Sequence, residues 1–271
     1  LYAQKSTAPL RVNVAKGEAY EYSSKANVEN RVTMMGNDQV TKVNSTMKAT
    51  MQVLAASKDS MSFSMKMSDV SIALKGMSMM GLPDTTIKRE TFPGAAETVT
   101  ISPSGTILRR IVSADSAETS RSESAIMRQI GGSRGATRSL FVTFPDKSLN
   151  VGDEWTDTKI DTMDQGNGKI FSSITMRYVC EGSCDTLGFK CMRIKAKSER
   201  YVISGSIKQM GNEMTMEGDG VVKSMYLIEQ KTGMPVTVSS NIETDQRLVL
   251  GEGMEIPISM TMTTELARMK K

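Results

Sequence analysis

The chain has 271 residues, 34 basic and 30 acidic for a net charge of +4, and no histidine. A small positive balance spread along the chain leaves no footprint for nucleic acid, and without histidine the commonest general base and metal ligand are missing. Hydrophobic residues make up 39% and charged residues 24%, a globular balance, and no apolar run approaches the roughly 20 residues that cross a bilayer.

Leu1-Tyr2-Ala3-Gln4 reads as the end of an export signal, which predicts a remnant and disordered start over 1–8, one β-rich domain over 9–271 and a periplasmic or secreted protein. Strand-like stretches follow near 10–15, 18–34, 40–56, 60–75, 85–92, 97–102 and 106–112. After a break they resume near 140–144, 154–163, 168–180, 189–204, 206–216, 219–230, 235–250 and 255–267, with breaks at Gly205 and between Met216 and Asp219. Turn signals such as Gly36-Asn37-Asp38, Pro103-Ser104-Gly105 and Thr232-Gly233 separate many of them, so most neighbours should be antiparallel hairpins.

The 23 methionines carry the clearest pattern. Met61, Phe63, Met65 and Met67 alternate with Ser62, Ser64, Lys66 and Ser68, and Ile258, Met260 and Met262 alternate with Ser259, Thr261 and Thr263. A period of two places the apolar set on one face of a strand. Val70, Ile72 and Leu74 continue on the other parity, which predicts a β-bulge near Ser68-Asp69 where a long strand bends. Core packing is the ordinary use of such methionines, and an apolar pocket of variable shape is the functional alternative. Met77, Met79 and Met80, with Met210, Met214 and Met216, would suit Cu(I) only if they faced solvent together; no metal site is assigned.

Between the two series of strands, Asp115 to Ile130 is rich in Ala, Ser, Glu and Arg, with capping-box spacing at Asp115 and Glu118 and Gly131-Gly132 behind it. One helix is expected over about 115–130. Its thin apolar stripe, including Ile126, Met127 and Ile130, predicts a lid over the open side of the sheet. Arg109, Arg110, Arg121, Arg128, Arg134 and Arg138 gather around it and read first as a solvated face. Gly17-Glu18-Ala19-Tyr20 and Gly152-Asp153-Glu154-Trp155 open strand series on either side, so two similar halves, about 10–112 and 140–271, are expected.

Cys180, Cys184 and Cys191 are the chain's three cysteines, within a strand-turn-strand. In an oxidising compartment one bridge is expected, Cys191 with Cys180 or with Cys184, and Cys180–Cys191 is taken as the pair. Asp157, Asp161 and Asp164 lack the spacing of a calcium loop. No nucleophile elbow, phosphate loop or dinucleotide fingerprint is present, so no catalytic residue and no cofactor is assigned.

The stretch Pro145-Asp146-Lys147 to Val151-Gly152-Asp153-x-Trp155, the hairpin Glu181-Gly182 to Gly188-Phe189-x-Cys191-x-x-Ile194, and Lys231-Thr232-Gly233-Met234-Pro235 resemble uncharacterised exported bacterial β-rich proteins. Those are distantly similar to lipoprotein-localisation factors and lipid-carrier lipoproteins, which hold acyl chains in a half-closed barrel lidded by helices. With the strand and turn pattern, which predicts a mostly β protein built as a long antiparallel curved sheet or half-barrel with one helix between two halves, the resemblance agrees in fold; the chain departs from the carriers in its single helix. The soft apolar face and the missing catalytic signatures are read as a non-catalytic protein binding a hydrophobic molecule or lipid, with Met61, Phe63, Met65 and Met67 as the wall and Ile126, Met127 and Ile130 as the lid. The alternative is a structural or interaction protein of the cell envelope with a filled core and a protein partner. Two stacked sheets would show the same alternation as a half-barrel.

Overall fold

A computed structural model describes residues 9–34, 36–76, 83–91, 97–112, 140–164, 168–209, 212–250 and 253–269. The expected signal remnant over 1–8 and the expected helix over 115–130 lie outside them. The regular elements are β1 (Ala19–Met34), β2 (Asn37–Ala56), β3 (Met61–Lys75), β4 (Thr85–Thr91), β5 (Glu97–Ile101), β6 (Ile107–Val112), β7 (Glu154–Asp164), β8 (Gly168–Thr186), β9 (Phe189–Gln209), β10 (Asn212–Glu229), β11 (Pro235–Leu250) and β12 (Met254–Arg268). They form one antiparallel 12-stranded sheet in the order β6-β5-β3-β2-β1-β12-β11-β10-β9-β8-β7, with β4 also paired to β3. The first and last long strands zip together at its centre, Val28 opposite Met262. All twelve strands belong to one continuous curved sheet rather than to two stacked sheets, and that sheet is open between β6 and β7 and does not close into a barrel.

Period-two patterning sets the buried face of each strand. On β3, Met61, Phe63, Met65 and Met67 point inward, then Val70, Ile72 and Leu74 do so on the other parity. Between the sets the register with β2 shifts, and Asp69 takes a left-handed φ of 49°. This is the bulge expected near Ser68-Asp69: one extra residue restores the apolar side chains to the same face while bending the strand. Lys48 pairs with Asp69 at 2.7 Å across it.

The second half departs from the sequence reading. The expected break at Gly205 and the break between Met216 and Asp219 lie inside strands, because β9 and β10 run as one long hairpin. Interior glycines there are not turns. A Cβ on Gly205 would overlap backbone of β8, and a Cβ on Gly218 or Gly220 would overlap backbone of β11. These are close strand approaches in a bent sheet, a use of glycine that resembles a turn signal in sequence. The stretches expected as strands over 10–15 and 140–144 are not strands.

Those two segments instead fill one end of the trough. Residue 12 donates its N–H to Pro103 O (2.8 Å) and residue 13 to Thr232 O (2.9 Å), so the segment spans from the β5–β6 turn to the β10–β11 turn. Phe144 N–H donates to Ser104 O (2.7 Å), and Trp155 Nε1–H and Lys159 Nζ donate to Thr143 O and Phe141 O. Residues 140–144 therefore bridge the β6 and β7 sides of the gap at that end. Leu10, Val12, Val14, Leu140, Phe141, Val142, Phe144 and Leu149 join the inward faces of β1, β2, β3, β5, β8, β9 and β10 in one core.

Both halves open on the same turn. Gly17 and Gly152 have φ of 89° and 87°, a region glycine enters without steric cost. Their N–H groups bond to Val53 O and Cys180 O, and Val53 and Cys180 return N–H bonds to Glu18 O and Asp153 O. Trp155 then stacks on Tyr178 at 5.3 Å and 11°.

Candidate functional site

The inward face divides along its length. At the filled end, the expected wall residues Met61, Phe63, Met65 and Met67 are 3, 2, 2 and 4% exposed. Phe63 packs against Phe141 with ring centroids 5.5 Å apart. The face is met there by the chain's own polypeptide. The expected lid residues Ile126, Met127 and Ile130 lie outside the described residues, as do Met77, Met79, Met80 and Met210.

Toward the other end the same face is only half covered. One register row crosses six strands as Leu74, Val43, Val28, Met262, Ile242 and Val222. Leu74, Val43, Val28 and Val222 are buried, whereas Met262 and Ile242 are half-buried. Met216 of β10, Leu248 of β11 and Ile258 and Met260 of β12 also point inward and are half-buried. Gly218 and Gly220 add no side chain to this part of the wall, and Tyr201 of β9 packs toward Gly220. The result is an apolar, methionine-bearing surface without full cover. Its strand pattern was visible at Ile258, Met260 and Met262, but its partial exposure was not, because cover is set by segments distant in sequence.

A polar cluster marks the filled end. Arg268 is buried, with its guanidinium 2.7 Å from a Glu229 carboxylate oxygen, donating to Met234 O and Pro235 O, and lying over the Tyr20 and Phe189 rings at 5.1 and 4.7 Å. Burial pushes the Tyr22 hydroxyl up to about 12 against the pull of Arg268. Burial and a bond to Glu18 push Tyr20 further up. Arg110, expected on a solvated face, instead pairs with the fully buried Glu97.

The expected Cys180–Cys191 bridge is not formed; all three cysteines are free. Register sets Cys184 opposite Cys191 and Cys180 opposite Ile194. Three residues of offset is about 10 Å along a strand, beyond disulfide reach. A bulge between Cys180 and Gly182 moves Cys184 into line with Cys191, and spacing alone could not place it. Burial, then the neighbouring Cys184, pushes the Cys191 thiol up to about 11.

Two open grooves lie on the exposed face of β9–β12. One, of about 580 Å³, is walled by Glu217, Asp219, Asp245 and Arg247; the other, of about 540 Å³, by Lys195, Lys197, Lys223, Met225, Asn241 and Glu265. Among the described residues no group of three or more Cys, Asp or Glu is placed to hold a metal ion.

No protein-family model matches the chain, and no curated protein matches it. Among solved structures it is similar to Pseudomonas aeruginosa OccK2 (OpdF) at 7% identity and a TM-score of 0.31, over 93% of this chain and 98% of that one. It is also similar to the hypothetical lipoprotein YmcC from Escherichia coli at 10% identity and 0.25, over 92% and 89%. An outer membrane channel from Pseudomonas putida F1 gives 7% identity and 0.29, over 95% and 97%. TM-scores this low do not establish a shared fold.

Proposed function

We propose that this is a non-catalytic protein of the cell envelope that holds a hydrophobic molecule, such as the acyl chain of a lipid, against the half-covered inward face of β10–β12. The observation that carries the reading is the partial exposure of Ile242, Leu248, Ile258, Met260 and Met262 on a face whose β3 methionines are fully packed. Apolar surface left without cover marks a contact site, and methionine adapts to apolar ligands of varied shape. The site thus shifts from the β3 methionines, which serve as core, to those of β12. A periplasmic or secreted location belongs to the same proposal and is checked by cell fractionation.

The test is lipid extraction and mass spectrometry of protein purified without detergent, with titration of a fluorescent fatty acid. Met260→Glu with Met262→Glu should weaken binding at least tenfold, while Met65→Leu leaves it unchanged. No co-purified lipid and no probe binding would overturn the reading. The packing of Phe141 against Phe63 favours a second reading, an envelope interaction protein with a filled interior, and that result would leave it standing.

A further inference from the structure

Cys184 and Cys191 are the third pair from the turn of the β8–β9 hairpin, whose two turn residues, Leu187 and Gly188, take left-handed φ of 50° and 83°. Residues directly opposite on antiparallel strands point to the same face, so the two thiols share one side of the hairpin. Lys190 O accepts the N–H of Gln230, just beyond β10, at 2.9 Å. Cys191, one residue on, therefore turns its own N–H and C=O toward β8, which makes Cys184 and Cys191 a hydrogen-bonded pair with Cα atoms about 5.5 Å apart. That separation is common among disulfide-bonded cysteines. The Gln230 amide donates to both Ser183 Oγ and Cys191 O, at 2.8 and 3.2 Å, and so clasps the two strands beside the pair. Cys184 is half-buried and Cys191 fully buried. Cys180 takes no part, because its thiol lies in the core against Met192 Sδ at 3.3 Å.

We propose that this pair is a thiol–disulfide modification site, at which Cys184 and Cys191 join reversibly in exchange with an external disulfide such as glutathione disulfide. Exposure sets the order of the two steps. The Cys184 thiolate attacks one sulfur of the external disulfide, whose S–S bond breaks; the thiolate released takes up the proton that Cys184 gave to solvent. Cys191 then loses its proton and attacks Cys184 Sγ in the mixed disulfide, forming the cross-strand bond and releasing the second external thiolate, which is protonated in turn. One disulfide is reduced to two thiols while two cysteines are oxidised to one cystine. Reversibility follows from the register. Opposite Cβ atoms in a hydrogen-bonded pair stand about 5 Å apart, whereas a disulfide holds them at about 3.8 Å, and the strain of drawing them together makes the bond easier to reduce. The bond would also rivet the turn to the buried cluster at the filled end. Cys191 lies opposite Glu229 of β10, which holds Arg268 at 2.7 Å, and the Phe189 ring lies under the Arg268 guanidinium.

The test is incubation of the folded chain with glutathione disulfide, alkylation of the remaining thiols and peptide mass spectrometry without reduction. Trypsin with a glutamate-specific protease cuts after Lys190 and Glu181 and so puts the three cysteines on three peptides. Wild-type protein should give the Cys184–Cys191 crosslink, and dithiothreitol should reverse it without unfolding. Cys180→Ala should leave the crosslink unchanged. Cys191→Ala should stop at a glutathione adduct on Cys184, and Cys184→Ala should take up at least tenfold less glutathione, since the thiols left are buried. Unchanged circular dichroism shows that the variants fold, and the wild-type map decides the pairing without them. A crosslink through Cys180, a wild type that ends as the glutathione adduct or unreacted, or a bridge that resists dithiothreitol in the folded protein would each overturn the proposal. Fatty-acid binding to the inward face is measured separately, so failure here is distinct from failure of the ligand reading.

Discussion

Arg268 ties the end of β12 to the filled end of the sheet. Its guanidinium sits between Tyr20 and Phe189, satisfies two carbonyls of the β10–β11 turn and neutralises Glu229, which also accepts a 2.6 Å bond from Thr232. Truncating one partner of a buried pair leaves the other charge uncompensated, so Arg268→Ala should lower stability by about 3–5 kcal/mol in urea unfolding. The tyrosines set a second outcome. Tyr20, Tyr22, Tyr178 and Tyr226 are all pushed above their ordinary value, chiefly by burial. A proton held more tightly in the folded state gives stability that is full below the unfolded value near 10 and is lost as pH rises, for Tyr22 through about 12. Thermal melts across the alkaline range should therefore show a falling midpoint that tracks tyrosinate absorbance. Cys191, pushed up to about 11, remains a thiol at neutral pH. Alkylation of native protein should label Cys184 before Cys191, as read by peptide mass spectrometry.

At the scale of elements, long strands need devices that bend them. β3 uses the bulge at Asp69, and β9 and β10 use inward glycines beside a register shift in which Ser198 Oγ accepts the N–H of Val222 at 2.9 Å. Gly220→Val would drive its side chain into β11 backbone and the Tyr201 ring, and should cost roughly 1–3 kcal/mol in thermal or urea unfolding. The Asp69 bulge was legible because the apolar set changes parity there. The interior glycines were not, because a strand glycine and a turn glycine look alike until the neighbouring strand is known. The same limit hid Glu97 and Arg110, whose alternation in β5 and β6 says nothing of the depth at which their charges meet.

For the whole molecule, the decisive event is the crossing of one end by segments 9–15 and 140–149. They join the β5–β6 turn to the β10–β11 turn and to β7, so that end of the sheet is closed by coil, and among the described residues no other coil segment makes such a crossing. Phe141→Ala would remove a core aromatic from between these parts and should cost about 3–5 kcal/mol. It should also let an apolar probe reach Phe63, checked by fluorescence titration against wild type. The second half is covered less completely, and the proposed ligand face lies there for that reason.

Local chemistry by itself determined that the chain would be β-rich and antiparallel, where its bulge would fall, and which parity of each methionine strand would point inward. Period-two alternation and turn residues act over a few neighbours and are written in order along the chain. Tertiary structure decided which of those inward faces is filled, that Cys184 rather than Cys180 faces Cys191, that a half-buried Arg110 pairs with a buried Glu97, and that charges of one sign meet across β9, β10 and β11. Each of these depends on register between strands or on segments that return from a hundred residues away, and a one-residue slip would change every one of them.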